Sequence, residues 1–204
     1  MTPPRTTSAS PGITVHNRLL SVAKELFSRK GYSATTTREI VAAAGVTKPV
    51  LYYYFRNKEG IYLELMRSAF AKLEALIDAS SGKRGTASKR LLRLSDQTFS
   101  LLMENMEVAK LMYSIYYGPS QGAPFFNFDA YHLKFQDAIR KFVKEGIHQR
   151  EFQKGNVEDI VWAILGAVNV TLEVQLSHPE KAIGRKGLAR ILNLILRGFQ
   201  KEGK

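Results

Sequence analysis

Three consecutive tyrosines, Tyr52-Tyr53-Tyr54, stand between Lys48 and Lys58, in a stretch that also holds Thr37, Arg38, Thr47, Pro49 and Val50. The chemistry open to this set is contact with nucleic acid. Hydroxyls and ammonium groups meet phosphate oxygens, an arginine fork fits a guanine edge or a phosphate, and aromatic faces and valine methyls meet a thymine methyl. The residue sets that do covalent or metal chemistry are not evident. The chain has no cysteine, which excludes a disulfide framework, a thiolate metal site and a cysteine nucleophile. His16, His132, His148 and His178 are far apart and show no metal-pair spacing. Gly82-Lys83-Arg84-Gly85 is too short for a phosphate loop and follows no strand pattern. Glu158-Asp159 are paired carboxylates at a helix start, where the helix dipole favours them. Neither an enzyme, a cofactor nor a metal is expected.

Composition agrees with a nucleic-acid partner. The 204 residues carry 30 Lys+Arg against 18 Asp+Glu, a net charge of +12, and an excess of that size favours an anionic partner. Ten basic and four acidic residues fall within 1–67, so half of the net charge lies in a third of the chain. With 45% hydrophobic residues and a mean hydropathy of −0.18 the chain can bury a core. Residues 1–12, rich in Pro, Ser and Thr, have no apolar stretch of the secretory type and read as a flexible tail. The longest apolar run, from Ile160 to Leu172 with Asn169 within it, falls short of the roughly 18 apolar residues of a membrane span. A cytoplasmic protein with no membrane partner is expected.

The elements that must position the tyrosines are helices, and no strand pattern is convincing. Helical periodicity covers about 15–30, 38–44, 48–55, 58–79, 87–105, 107–116, 125–150, 156–177 and 184–201. Thr14, Thr37 and Thr47 are the expected N-caps, and Gly31 and Gly45 the stops. The two short helices joined by Gly45-Val46-Thr47 have helix-turn-helix spacing. Ile40, Ala44, Val46, Leu51 and Phe55 would form the packed side. At about 100° per residue Tyr53 points away from the Leu51/Phe55 face, with Tyr52 and Tyr54 on its flanks. Three successive tyrosines cannot all be core. For Tyr52 a half-buried ring with its hydroxyl at the rim stays open, and for Arg38 so does a solvated or intramolecularly paired guanidinium.

The run Ala23-Lys24-Glu25-Leu26-Phe27, Lys30-Gly31-Tyr32, Ala34-Thr35-Thr36-Thr37, Ile40, Ala44-Gly45-Val46, Leu51-Tyr52-Tyr53-Tyr54-Phe55 and Lys58-Glu59 resembles the tetracycline-repressor (TetR/AcrR) family of bacterial transcriptional regulators. The match covers about residues 15–66. The resemblance implies an all-α homodimer: a three-helix DNA-binding domain over 13–57, then a larger helical-bundle domain over 58–204 for ligand binding and dimerisation. It also implies that Thr37, Tyr52, Tyr54 and Lys58 contact the DNA backbone, and that Arg38, Lys48, Pro49, Val50 and Tyr53 vary with operator sequence. Pro49-Val50 stands where many members have Gly followed by Thr or Ser, which makes the outward face more apolar. Gly60 stands where a larger residue is common, and is expected to loosen the joint between the domains.

The C-terminal two thirds are rich in aromatic and methionine side chains over 99–135, which suits an adaptable apolar pocket. Phe99, Met103, Met106, Tyr113, Tyr116, Phe126 and Trp162 are its expected walls, and His132, Gln136 and Asn169 its expected polar groups; an aromatic-rich core is the other reading of these residues. The segment 157–176 is apolar nearly all round and must be buried on both sides. Ile164, Val168 and Leu172, with Leu188, Ile191, Leu192, Ile195 and Phe199 of the last helix, are expected to form a four-helix dimer interface; burial wholly within one chain is the alternative. These features fit a repressor that binds a palindromic double-stranded operator and is released by a small hydrophobic or aromatic effector. A constitutive dimeric DNA-binding or scaffolding protein without an effector fits the same residues.

Overall fold

A computed structural model describes residues 14–82, 85–118 and 120–199. The expected tail and the Lys83-Arg84 pair lie outside the described residues. Among the latter there are nine α-helices, one 3₁₀ turn at Pro179–Lys181 and no strand. The helices are α1 Val15–Ala34, α2 Thr37–Ala43, α3 Lys48–Phe55, α4 Lys58–Ser81, α5 Ala87–Glu104, α6 Met106–Tyr117, α7 Phe128–His148, α8 Val157–Ser177 and α9 Gly184–Phe199.

Local chemistry sets these boundaries. Thr14 Oγ1 accepts from Asn17 N at the start of α1, and the periodic Leu19, Ala23, Leu26 and Phe27 are its buried stripe. Gly31, with φ +82°, breaks the helical path, and one more turn follows to Ala34. The cap of α2 is Thr36 rather than the expected Thr37: Thr36 Oγ1 accepts from Glu39 N, while Thr36 N donates to the Glu39 carboxylate. Glu three residues after the cap completes a capping box, which a threonine at 37 could not. Thr47 caps α3 through its carbonyl, which accepts from Val50 N and Leu51 N; its side chain makes no cap bond. Helix α7 begins at Phe128, three residues later than the periodicity predicts, because Asn127 Oδ1 accepts from Ala130 N.

Two apolar cores organise the chain. One joins α1, α2 and α3 to the first half of α4 and to Val108 and Leu111 of α6. The other joins Ile77 of α4 to α5, α7, α8 and α9. Helix α4 therefore runs from one core into the other, and α6 closes the N-terminal core from the C-terminal side. The two-turn α3 is too short to persist alone in water. It is held by Leu51 and Phe55, whose burial stabilises it by about 1.5–3 kcal/mol each. Helix α8, at 21 residues, is long and apolar enough to cross a membrane, contrary to the sequence expectation. Its Ile160, Val161, Ile164, Leu165 and Val168 are buried in the chain's own core instead.

Candidate DNA-binding face and ligand cavity

With Leu51 and Phe55 turned inward, the outer side of α3 carries the tyrosines. Tyr53 is 82% exposed, and Tyr52 and Tyr54 are about half exposed. Thr47, Lys48 and Pro49 are exposed beside them, and Val50 is half-buried. Arg38 is exposed on α2, with Thr37 half-buried next to it. Neither Arg38 nor Lys48 has a hydrogen-bond or ion-pair partner among the described residues. Arg56, not singled out from sequence, ends α3 with φ +64° and adds an exposed cation to the same side.

Tyr54 is braced by His16 of α1, its ring centroid 5.7 Å away and edge-on, and His16 stacks on Phe55 at 4.8 Å. His16 Nε2 in turn lies 2.8 Å from Glu64 on α4. Tyr53 stands edge-on to Tyr54 at 5.0 Å. The pair forms a small aromatic shelf whose outer member is open to solvent.

Lys58 sits differently from the residues it was grouped with. Its ammonium donates to Tyr32 O and Thr35 O at 2.9 Å each and lies 4.1 Å from the centre of the Tyr32 ring. Burial lowers its pKa. The side chain ties down the carbonyls of the α1–α2 turn, so two of its three donors are engaged within the chain. Gly60 is likewise a packing residue and not a loose joint. A Cβ there would lie 2.0 Å from Phe55 O, so the tight turn through Arg56 and Asn57 requires glycine.

Glu39 carries a further local charge effect. The Lys30 ammonium and then the Thr36 N–H hold its carboxyl down to about 2. It is ionised, and caps α2, throughout the ordinary pH range.

A cavity of about 270 Å³ opens among α4, α5, α6, α7 and α8. Four of the ten expected pocket residues line it: Tyr113, Tyr116, His132 and Asn169. The other six do not. Phe99 is buried in the C-terminal core, and Met103 packs against that core. Met106 is half-buried at the start of α6, and Gln136 is buried on α7 away from the lining. Phe126 stacks on Tyr131 and packs on Phe70 from outside the cavity. Trp162 is 62% exposed on the outer side of α8. The cavity is also lined by Phe70, by Tyr117, Phe128, Tyr131 and Phe135 of the aromatic stretch, and by Thr98 and Glu173, neither of them expected. Spacing along one helix cannot reveal them, since the lining is drawn from five helices at once.

The residues expected at a dimer interface divide in the same way. Ile164, Val168, Leu188 and Leu192 are buried in the chain's own core, and Leu172, Ile195 and Phe199 pack against it. Val168 and Leu172 also line the cavity. Only Ile191 of that set is exposed. The strongest periodic stripe serves the chain's own core, and the opposite side is left open: Trp162, Ala163, Gly166 and Val170 on α8, and Ile191 and Leu194 on α9.

Cavity and α3 share a support. Helix α6 contributes Tyr113, Tyr116 and Tyr117 to the cavity and Val108 and Leu111 to the N-terminal core. Glu107 of α6 pairs with Lys24 of α1 at 2.7 Å. Beyond α6, Gln121 Nε2 donates to Ser114 Oγ at 2.6 Å, while Gln121 Oε1 accepts from Tyr32 N at 3.1 Å. The carboxamide fits against Gly31, where a Cβ would come within 2.7 Å of Oε1. The same α1–α2 turn is thus held by Gln121 from one side and by Lys58 from the other.

These features agree with comparisons to known proteins. The family model for bacterial regulatory proteins of the tetR family matches residues 19–65. The chain is 32% identical over 106 residues to the uncharacterized HTH-type transcriptional regulator YdgC of Bacillus subtilis, an alignment covering 50% of this chain and 54% of that one. It is 46% identical over 54 residues to the HTH-type transcriptional regulator QacR of Staphylococcus aureus, covering 26% and 29% of the two chains. The chain thus spans about half the length of the first of these curated relatives, and less of the second. The structure of SmeT in complex with triclosan superposes with a TM-score of 0.73 at 19% identity, covering 93% of each chain, so the fold extends through the C-terminal helices. SmeT is the repressor of the Stenotrophomonas maltophilia multidrug efflux pump SmeDEF. The matched helix-turn-helix with its exposed tyrosines makes residues 19–65 similar to bacterial regulatory proteins of the tetR family, and the helical bundle behind it has the fold of the superposed structures.

Proposed function

We propose that this chain is a homodimeric, operator-specific transcriptional repressor of the bacterial cytoplasm, released from DNA by a small hydrophobic or aromatic molecule. The observation that carries the proposal is the double role of α6, whose residues line the cavity and also belong to the core beneath α3. A ligand that moves the α6 tyrosines acts on the base of the helix-turn-helix. In a dimer, two α3 helices entering successive major grooves of a palindrome must keep about 34–36 Å between them. A modest tilt of each DNA-binding region against its bundle therefore lowers operator affinity. SmeT, with the same fold, has been captured with triclosan, which supports a hydrophobic ligand for this cavity.

On α3, Tyr53, Val50 and Pro49 face base edges, with Arg38 of α2 at a guanine edge or a phosphate. Thr37, Tyr52, Tyr54, Thr47 and Lys48 face phosphates. Lys58 supports them, with its one remaining donor turned to the backbone. Dimerisation uses the open face of α8 and α9, where Trp162, Val170, Ile191 and Leu194 leave an apolar surface uncovered. Two copies double the charge of the N-terminal third at the operator.

The test is fluorescence anisotropy on a duplex selected from a random pool. The expected result is specific binding with a dissociation constant of about 10⁻⁸ M or tighter at physiological salt and a steep loss of affinity with added salt. A cavity ligand should weaken that binding at least tenfold. Tight binding that no cavity ligand alters would favour a constitutive DNA-binding protein instead.

A further inference from the structure

The charges around the cavity point beyond "hydrophobic". Although the chain carries a net charge of +12, no Lys or Arg appears among the described residues that line the cavity, and its carboxylate is Glu173. Glu173 lies beside the Tyr113 hydroxyl, and Tyr113 and Tyr117 are in ring contact at 4.6 Å. Phe70, Phe128 and Tyr131 form a second aromatic group, with the Phe128 and Tyr131 ring centres 5.6 and 4.3 Å from that of Phe70. Tyr116 is in ring contact with Tyr117 and Phe128, and its hydroxyl donates to Asp129 at 2.6 Å. The cavity therefore has an acid-and-tyrosine end and a phenylalanine end. In its wall Thr98 is 4% exposed, and its Oγ1 has no hydrogen-bond partner. A buried hydroxyl without a partner costs free energy unless something bonds to it.

We propose that the cavity takes an aromatic monocation, a protonated amine on a ring system, with the charged nitrogen at Glu173 and the tyrosines and the rings against Phe70 and Phe128. Tyrosine faces attract a cation through the ring quadrupole, and a carboxylate beside them adds to the attraction. An anionic ligand would lose its hydration, find no cation in the wall and face Glu173. The His132 imidazole is the other titratable group in the lining besides the tyrosines and Glu173. Thr98 offers a hydrogen bond to a polar atom of the ligand. This inference rests on the cavity being the effector site proposed above, and narrows the effector to one charge class.

Three naphthalenes of nearly equal size test it by calorimetry on the full chain without DNA: 2-naphthylmethylamine, 2-naphthalenemethanol and 2-naphthoate. The amine should bind about tenfold more tightly than the alcohol, the sum of a cation–aromatic and a partly exposed ion-pair contribution, and the naphthoate most weakly. Glu173→Gln should remove most of the amine's advantage and leave the alcohol unchanged, which also shows that the variant is folded. Equal affinity for amine and alcohol, tighter binding of the naphthoate, or an amine affinity indifferent to Glu173→Gln would overturn the proposal. The effector reading fails separately: the amine would bind as described yet leave operator affinity unaltered. If only the alcohol bound and released the operator, the effector reading would stand and the charge assignment would fall.

Discussion

Helix α3 and helix α8 both present apolar or aromatic residues around most of their circumference, yet they differ in how much of their function shows in the sequence. In α3 three tyrosines occupy positions that cannot all face inward, so Leu51 and Phe55 take the inside and Tyr53 the outside. In α8 aliphatic residues stand on every side, and no residue type marks which side faces the chain's own core. Ile164, Val168 and Leu172 go inward, and Trp162 and Val170 are left outside. A helix with one amphipathic cue identifies its functional face, whereas a helix apolar all round only announces that it has two partners.

The comparison can be broken at the packed side of α3. Leu51→Ala removes a side chain with no solvent exposure and is expected to cost about 2–5 kcal/mol. Thermal unfolding followed by circular dichroism should show the loss, and Tyr53→Ala should leave the melting curve within about 0.5 kcal/mol of wild type.

On α8 and α9 the same division predicts an effect on assembly. Leu194, 72% exposed, should be replaceable by Lys without loss of fold. Sedimentation should then show monomers, with operator affinity falling by orders of magnitude as the second half-site is lost. Leu192→Lys, at a position 1% exposed, should unfold the chain instead.

A smaller effect belongs to the junction between the two regions. Gln121→Ala leaves Tyr32 N and Ser114 Oγ without their partner, at about 1–3 kcal/mol if no water replaces it. Calorimetry should find ligand affinity in the cavity nearly unchanged, while the ligand's effect on operator binding shrinks. An unaltered effect would place the coupling elsewhere, in the Lys24–Glu107 pair or in α4.

The smallest effect is the pH response of the α2 cap. The folded pKa of Glu39 is lowered, so its contribution is fully present above the ordinary carboxyl value of 4.5 and is lost as pH falls through about 2. Melting temperature should decline over that window in the wild type and more shallowly in Glu39→Gln.

Much of the molecule follows from local rules that leave marks in sequence. Helix positions followed from periodicity, the helix-turn-helix from Gly45 and its flanking helices, and the exposed tyrosines from 100° geometry. The α2 cap is the exception: the sequence reading puts it one residue late, at Thr37, although Glu39 three residues beyond Thr36 marks the capping box. The cavity was legible only in part: Tyr113, Tyr116, His132 and Asn169 line it as expected, but its wall is assembled from five helices, and Thr98 and Glu173 carry no cue before the helices are packed. Lys58 shows the same limit: an ammonium near a DNA-binding helix looks free until the carbonyls of Tyr32 and Thr35 are seen above it.

The central claim is that the outer side of α3 reads DNA sequence, and Tyr53 tests it most directly. Wild type and Tyr53→Ala would be titrated by fluorescence anisotropy against the selected duplex and against variants with single base-pair changes beneath α3. The account predicts an unchanged fold, a change in preference among these duplexes of about 1–3 kcal/mol at one or two positions, and a similar salt slope. A Tyr53→Ala protein with the affinity and the preferences of the wild type would contradict it.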